Sequence, residues 1–410
     1  MTGDSILDDL NKAADDRVRP AEPGDAVDAV QPRYVATPGS TTETAELLRV
    51  AAHHRMHVVA RGSGTKQAWG NPPTQLDLVV DTTAMTGVVE HAAGDLITIV
   101  RAGTTMADLQ QALAGQDQQL ALDAPFPSAT VGGTVATNTS GPRRVLYGTM
   151  RDLLIGITFV RADGVVAKAG GKVVKNVAGY DFGKLLTGSY GTLGVITEVA
   201  LRLHPLPVSR RYVAVQTVVG ATAAEAARRV LGSQAVPTAV DVDQPAEGPA
   251  SAVALVEGAE AGANGRATAV AELLGTDLVG TEPPDWFGRY PFAEGDVGLK
   301  ITSTHAGVAP VLAAARQLGA PASVRGSVSG VLFLALPGAT DPDIVARVLT
   351  GLRALAGRYD GTVVVLTAPA ETRRALDVWG PVPGLDLMRR LKDQLDPDHR
   401  LAPGRFVGGI

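Results

Sequence analysis

The chain has 410 residues, enough for two domains that each bury a core. Hydrophobic residues make up 45% and aromatics only 4%, and the formal net charge is −5. This describes a globular chain cored by small side chains, with no overall field for nucleic acid or an anionic membrane. Cysteine is absent, which excludes disulfides, thiolate nucleophiles, Cys-ligated zinc or iron–sulfur centres and a cysteinyl bond to a cofactor.

Residues 1–31 are polar and Asp-rich and read as a lead-in, with Ile6, Leu7 and Leu10 on one side of a short helix. This start lacks the basic and apolar regions of a secretory signal. No uncharged apolar run is long enough to span a bilayer. The expected home is the cytoplasm, without direct membrane insertion, any membrane association being made through partners. Thr41, Thr42 and Glu43 ahead of an Ala/Leu-rich run predict a capped helix to His53. A strand at 58–60 leads into a first glycine-rich segment, Arg61, Gly62, Ser63, Gly64 and Thr65. Strands follow at 76–81 and 96–101, then a helix at 105–113.

After Pro125 and Pro127 comes a second glycine-rich segment: Thr130, Val131, Gly132 and Gly133, followed by the small residues Thr134, Ala136 and Thr137. Residues 153–160 and 165–168 form a hairpin about Asp163-Gly164. A third segment holds Gly170, Gly171 and Gly179, then Gly188, Gly191 and Gly194 at the entrance to a strand at 193–203. Pro205 and Pro207 mark a domain boundary. Beyond it, strands at 212–218, 252–256, 331–336 and 362–366 alternate with Ala-rich helices at 221–231, 266–274 and 343–356, an α+β layer. No repeat of short period is evident. An amphipathic helix at 385–395 precedes the tail, with Asp396-Pro397 and Pro403-Gly404-Arg405.

Phosphate oxygens accept several hydrogen bonds, and glycine lets backbone N–H groups come close to them. Two such surfaces in one domain suit a pyrophosphate gripped from two sides, hence a dinucleotide. Alone, the first segment is a weak signal: its spacing fits neither the Rossmann fingerprint nor a Walker loop. The second is stronger, because so many small residues beside polar groups point to close approach of a ligand.

The three segments in this order, with Pro125, Tyr147-Gly148 and the closing Asp-Pro…Pro-Gly-Arg, resemble the FAD-binding domain of the vanillyl-alcohol oxidase and p-cresol methylhydroxylase (PCMH-type) superfamily. Within it they are most similar to glycolate oxidase FAD-binding subunits. The resemblance is strong over 33–207, moderate over 378–406 and weak between. It implies an α+β chain: a two-subdomain PCMH-type FAD-binding domain at 32–208, an α+β cap (substrate) domain at 209–380, and a segment at 381–410 returning to the FAD domain. It implies that Arg61 to Thr65 bind the FAD pyrophosphate through backbone amides, and that Thr130, Val131, Gly132 and Gly133 hold its other side and the ribitol. Pro125, Ala136, Gly141, Arg143, Tyr147 and Gly148 would line the flavin. Gly191, Gly194, Val195 and Ile196 would wall the adenine end or the isoalloxazine edge. Lys175, Asn176, Tyr180 and Asp181 would stand near the flavin's reactive face.

Relatives with covalent flavin often carry a histidine where this chain has Thr65, and no histidine lies in a glycine segment. FAD is therefore expected to be non-covalent. The family's terminal Asn-Pro-Gly appears as Ala402-Pro403-Gly404. Oxidising a 2-hydroxy acid needs a base, a cation for the carboxylate and a hydride acceptor. His305, Lys175 and Tyr180 are the candidate catalytic residues, although a lone histidine such as His305 is more often structural. Lys300, Arg289 and Arg325 are carboxylate-binding candidates that read equally as surface charges. His53, His54 and His57 read as helix-end capping, and no metal site is expected.

The expected function is an FAD-binding subunit of a glycolate or D-lactate type dehydrogenase. It would work with a homologous flavin subunit and an iron–sulfur subunit, and with no nucleic acid. The rival readings are a stand-alone FAD-dependent alcohol or sugar oxidoreductase and a non-catalytic assembly subunit.

Overall fold

The computed structural model describes residues 5–171 and 180–410. The chain divides into two compact units: Met1–Ser140, Thr149–Leu206 and Pro381–Ile410 form the first, Gly141–Gly148 and Pro207–Gly380 the second.

The first unit holds two main sheets. One has the order Val18–Pro20, Tyr34–Ala36, Leu78–Asp81, Val58–Arg61, its last three strands parallel. The helix Thr41–His53 has Ser40 as its cap, one residue before the expected threonines, and the Ser40 hydroxyl accepts the Glu43 N–H at 3.1 Å. Its Ala45, Leu47, Leu48 and Ala51 share a core with Val58, Leu78 and Val80. The N-terminal segment adds to that core. Ser5–Ala13 is helical, and its Leu10 is fully buried there.

The other sheet is antiparallel, in the order Val88–Ala92, Ile97–Arg101, Val195–Arg202, Leu154–Val160, Val166–Gly170. Met106, Leu109 and Leu113 of the helix Met106–Ala114 share a core with Val100, Ile157, Phe159 and Val199 from it. The shorter helix Val131–Thr137 contributes Val131 and Val135 to the same core.

The second unit is one eight-stranded antiparallel sheet made by two successive β-α-β-β-α-β runs. The first run is Ser209–Thr217, Gly220–Leu231, Ala239–Gln244, Ala250–Gly258, Glu260–Leu274 and Val279–Gly280. The second is Val297–Thr302, Val308–Ala315, Ser323–Ser327, Val331–Leu336, Pro342–Gly357 and Val363–Thr367. Ala239–Gln244 and Ser323–Ser327, the second strand of each run, pair with one another and fuse the two halves. Helices from both runs bury one face of the sheet, largely through alanine and valine, which is how a chain so poor in aromatics closes a core.

Ala239–Gln244 carries no strand signal in the sequence because Asp241 and Asp243 depress β-propensity. Here both are buried on the face opposite Val240 and Val242, and Asp243 accepts the Arg325 Nε–H at 2.7 Å. The helix Val308–Ala315 is hidden by Pro310, which its first turn tolerates because no intrahelical acceptor is lost there. Among the described residues, no helix is long and apolar enough to cross a membrane.

Candidate functional site

A cleft of about 740 Å³, open to solvent, lies in the first unit. Its walls are the loop at 62–67 that leaves the strand Val58–Arg61, the helix Val131–Thr137, the turn at 190–194, and Arg405 from the tail. Arg61 sets the loop's origin. Its guanidinium bridges Asp25 at 3.2 Å and Asp81 at 3.0 Å, and the Thr82 hydroxyl donates to the Arg61 carbonyl. Arg19, with the Glu22 amide and Arg61, holds the Asp25 carboxyl well below the usual carboxylate range. Arg61 is thus anchored by carboxylates, and the loop after it is what faces the cleft.

The two glycine segments do different work. In the first, the backbone N–H groups of Ser63, Gly64, Thr65 and Lys66 donate to no described group, leaving four consecutive amides available to an anion. In the second, the amides are already used. Val131 donates to the Thr104 carbonyl and Gly132 to the Ala102 carbonyl, both at 2.8 Å, and Gly133 donates to the Thr130 hydroxyl at 3.2 Å. The expectation that both segments present free amides is corrected: the second is the first turn of a capped helix docked on the turn that follows the strand Ile97–Arg101.

Its glycines serve proximity instead. A Cβ on Gly132 would stand 2.8 Å from the Ala102 Cβ, and a Cβ on Gly62 would stand 2.1 Å from the Thr130 hydroxyl oxygen. Loop and helix touch without room for a methyl. On the opposite wall, the Gly188 and Tyr190 amides donate to the Val135 and Ala136 carbonyls, which fastens the third segment to the same helix. Gly191 has φ +77° and nothing within 4 Å of its would-be Cβ.

Of the residues proposed from sequence, Arg61, Gly62, Ser63, Gly64, Thr65, Thr130, Gly132, Gly133, Ala136, Gly191, Gly194 and Ile196 line the cleft. Val131 and Val195 instead lie in the cores beneath it, at 0% and 1% exposure. Pro125 is half-buried and is not part of the lining. Gly141, Arg143, Tyr147 and Gly148 belong to the second unit. There Arg143, Tyr147 and Arg210 converge on the buried Glu257, with Arg210 Nε donating at 2.9 Å and the Tyr147 hydroxyl at 3.3 Å. Burial and the Glu257 charge push the Tyr147 hydroxyl pKa up. Among the catalytic candidates, Lys175 lies outside the described residues, Tyr180 is 87% exposed, and His305 is exposed at the start of a short 3-10 turn.

Lining residues that carried no site assignment from the sequence include Lys66, Gln67 and Thr82, and also Thr137, Tyr190 and Arg405, which lie in segments singled out there without a role of their own. Lys66 is 8% exposed, although a lysine beside a glycine loop reads as solvated. Arg405, buried in the tail, donates to the carbonyls of Gln67 at 2.8 Å and Trp69 at 2.9 Å. It fixes the far end of the amide loop from 336 residues away. Free amides and a buried ammonium, on walls where Gly62, Gly64, Gly132, Gly133, Gly191 and Gly194 stand among the lining residues, fit the pyrophosphate of a dinucleotide.

Residues 32–170 match the family described as FAD binding domain. The chain is 32% identical over 219 residues to glycolate oxidase subunit GlcD of Bacillus subtilis, covering 52% of this chain and 46% of that protein. It is 36% identical over 164 residues to glycolate oxidase subunit GlcE of Escherichia coli (40% and 46%), and 37% identical over 171 residues to a D-lactate dehydrogenase of Archaeoglobus fulgidus (42% and 38%). The chain thus spans less than half the length of these relatives. A solved structure of alkyldihydroxyacetonephosphate synthase superposes with a TM-score of 0.76 at 18% identity, covering 99% of this chain and 86% of that one, a likeness of fold. The chain therefore has the α+β fold of PCMH-type FAD-binding proteins, carries an FAD binding domain at residues 32–170, and is similar over part of its length to glycolate oxidase subunits.

Proposed function

We propose that this chain is the FAD-binding subunit of a 2-hydroxy-acid dehydrogenase of glycolate or D-lactate type, passing electrons to an iron–sulfur partner chain. The observation that carries the reading is the row of free amides from Ser63 to Lys66 within a domain whose named relatives are glycolate oxidase subunits and a D-lactate dehydrogenase. The amide loop, braced by Arg61 and Arg405, would hold the pyrophosphate. The helix Val131–Thr137 would supply a close-fitting wall. When bound, the flavin supplies a hydride acceptor for oxidation of a CH–OH group. With a threonine at position 65 and no cysteine in the chain, FAD is held non-covalently.

The second unit offers a receptor for the substrate carboxylate. Strand register sets Asp243, Arg325, Phe333 and Lys300 in one row across the sheet face opposite the helices. Asp243 neutralises Arg325 at 2.7 Å, whereas Lys300 has no carboxylate within 4 Å among the described residues. Burial, with Arg144 as a neighbouring like charge, pulls the Lys300 ammonium down to about 8. A cation so placed attracts a small carboxylate. Arg289 gives only its backbone carbonyl to Arg325.

The reading is tested by purifying the protein, recording a flavin absorption band, and adding glycolate or D-lactate without oxygen. Bleaching of the band supports it, and a colourless protein indifferent to added FAD refutes it. A second reading, an assembly subunit that keeps FAD without chemistry, draws support from the exposed positions of His305 and Tyr180, which hold neither as a base. A yellow protein that no 2-hydroxy acid bleaches would favour that reading.

A further inference from the structure

We propose that Lys66 is the charge-matching residue of the cofactor cleft, its ammonium pairing with the pyrophosphate of bound FAD. The inference rests on the FAD reading of the cleft and assigns a role to a side chain outside the glycine motif.

Among the described residues, three cations line the cleft. Arg61 is neutralised by Asp25 and Asp81. Arg405 directs its guanidinium to the carbonyls of Gln67 and Trp69. Lys66 differs from both. It is 8% exposed, yet among the described residues its Nζ has only the Thr65 hydroxyl at 3.4 Å and the face of the Phe126 ring at 5.6 Å. No carboxylate lies within 4 Å of it among the described residues. Desolvation alone pulls its pKa down to about 8. A buried cation without a counter-ion is costly unless an anion joins it. The chain places this one at the end of four unused amides, where a pyrophosphate would bring both the charge and the acceptors.

A proton linkage follows. In the free cleft Lys66 loses its proton near pH 8, and the charged form is the one that holds the anion. Above pH 8, FAD binding must take up a proton, so affinity falls with rising pH by up to about tenfold per unit until the pKa of the bound state is reached. Among the described residues, the other charged or titratable groups on the cleft are Arg61, Arg405 and Tyr190. The arginines stay charged throughout this range, and burial pushes the Tyr190 hydroxyl further up.

The test is a fluorescence titration of flavin-stripped full-length protein with FAD from pH 7 to 9.5, for wild type, Lys66→Met and Lys66→Arg. The expected result is about 10–100-fold weaker binding for Lys66→Met at pH 7, near-wild-type binding for Lys66→Arg, and loss of the fall above pH 8 in both variants. Thermal melting of the stripped variants checks that they fold. If Lys66→Met binds FAD as wild type does, or if Lys66→Arg keeps the wild-type pH profile, the proposal is overturned. Unchanged affinity with a shifted flavin reduction potential also overturns it, placing the ammonium at the ring. Wild-type protein that binds no FAD at all removes the FAD reading and this proposal together; the preceding outcomes remove this proposal only.

Discussion

The ammonium of Lys392 lies 2.6 Å from Oδ2 of Asp396, one helical turn away, and neither side chain is exposed. The same ammonium donates to the carbonyls of Thr192 and Leu401, both at 2.8 Å, while Asp396 accepts the Leu401 N–H at 2.7 Å. The pair therefore ties the C-terminal helix Leu385–Leu395 and the tail to the turn that forms one wall of the cleft. All three ammonium hydrogens find an acceptor and Asp396 Oδ2 is paired twice, which is what makes a buried ion pair tolerable, although Asp396 Oδ1 has no hydrogen-bond partner among the described residues.

Breaking that pair should be severe. Lys392→Met leaves the Asp396 carboxylate buried and two carbonyls unpaired, and should cost about 3–5 kcal/mol in denaturant unfolding. Raising salt should not reproduce the loss, because a fully buried pair is poorly screened. A cost below about 1 kcal/mol would show that water replaces the ammonium.

Arg405 should matter through the loop it braces. Arg405→Ala removes both hydrogen bonds from Nη2 to the Gln67 and Trp69 carbonyls and should lower stability by about 2–3 kcal/mol. It should also raise the rate at which flavin leaves the purified protein. Arg405→Lys should recover only part of the effect, since the shorter side chain must carry its ammonium to the point between the two carbonyls where Nη2 donates to both. Flavin dissociation as slow as in wild type would detach the tail from cofactor binding.

Glycine substitutions should separate packing from ligand space. Gly62→Ala forces its methyl against Thr130 and should destabilise the free protein by about 1–3 kcal/mol. Gly191→Ala meets nothing within 4 Å, so its cost is the left-handed backbone at φ +77°, about 1–2 kcal/mol. Flavin content measured on folded protein should fall in both. Full flavin content in both variants would remove these walls from the site.

Lys300→Met should raise KM for a 2-hydroxy acid at least tenfold while leaving flavin content unchanged. The pH dependence has a defined sign. Lys300 is held at about 8, so KM should climb as pH rises past 8, and Lys300→Arg should flatten that climb. A wild-type-like KM in Lys300→Met would exclude this row as the carboxylate receptor.

Much of the local structure is legible residue by residue. Thr105 caps the helix Met106–Ala114 by accepting the Asp108 N–H. Gly164 takes φ +76° in the hairpin turn after Asp163. The Ala-rich runs after Pro207 are helices. Each depends on neighbours a few positions apart, and so does the first glycine loop, whose order after a strand is written in the chain.

By itself, then, the sequence determined the α+β class, the FAD binding domain and the chemistry the chain lacks without cysteine. Tertiary structure alone decided which amides remain free. Those of Ser63 to Lys66 are open, whereas Val131 and Gly132 donate to Thr104 and Ala102 on another element. It also decided the duplicated β-α-β-β-α-β sheet, because strands pair across long separations and their register leaves no short-period trace. And it distinguished Lys66 and Lys300 from ordinary surface lysines, since burial and a missing counter-charge are properties of position, which a one-letter code does not carry.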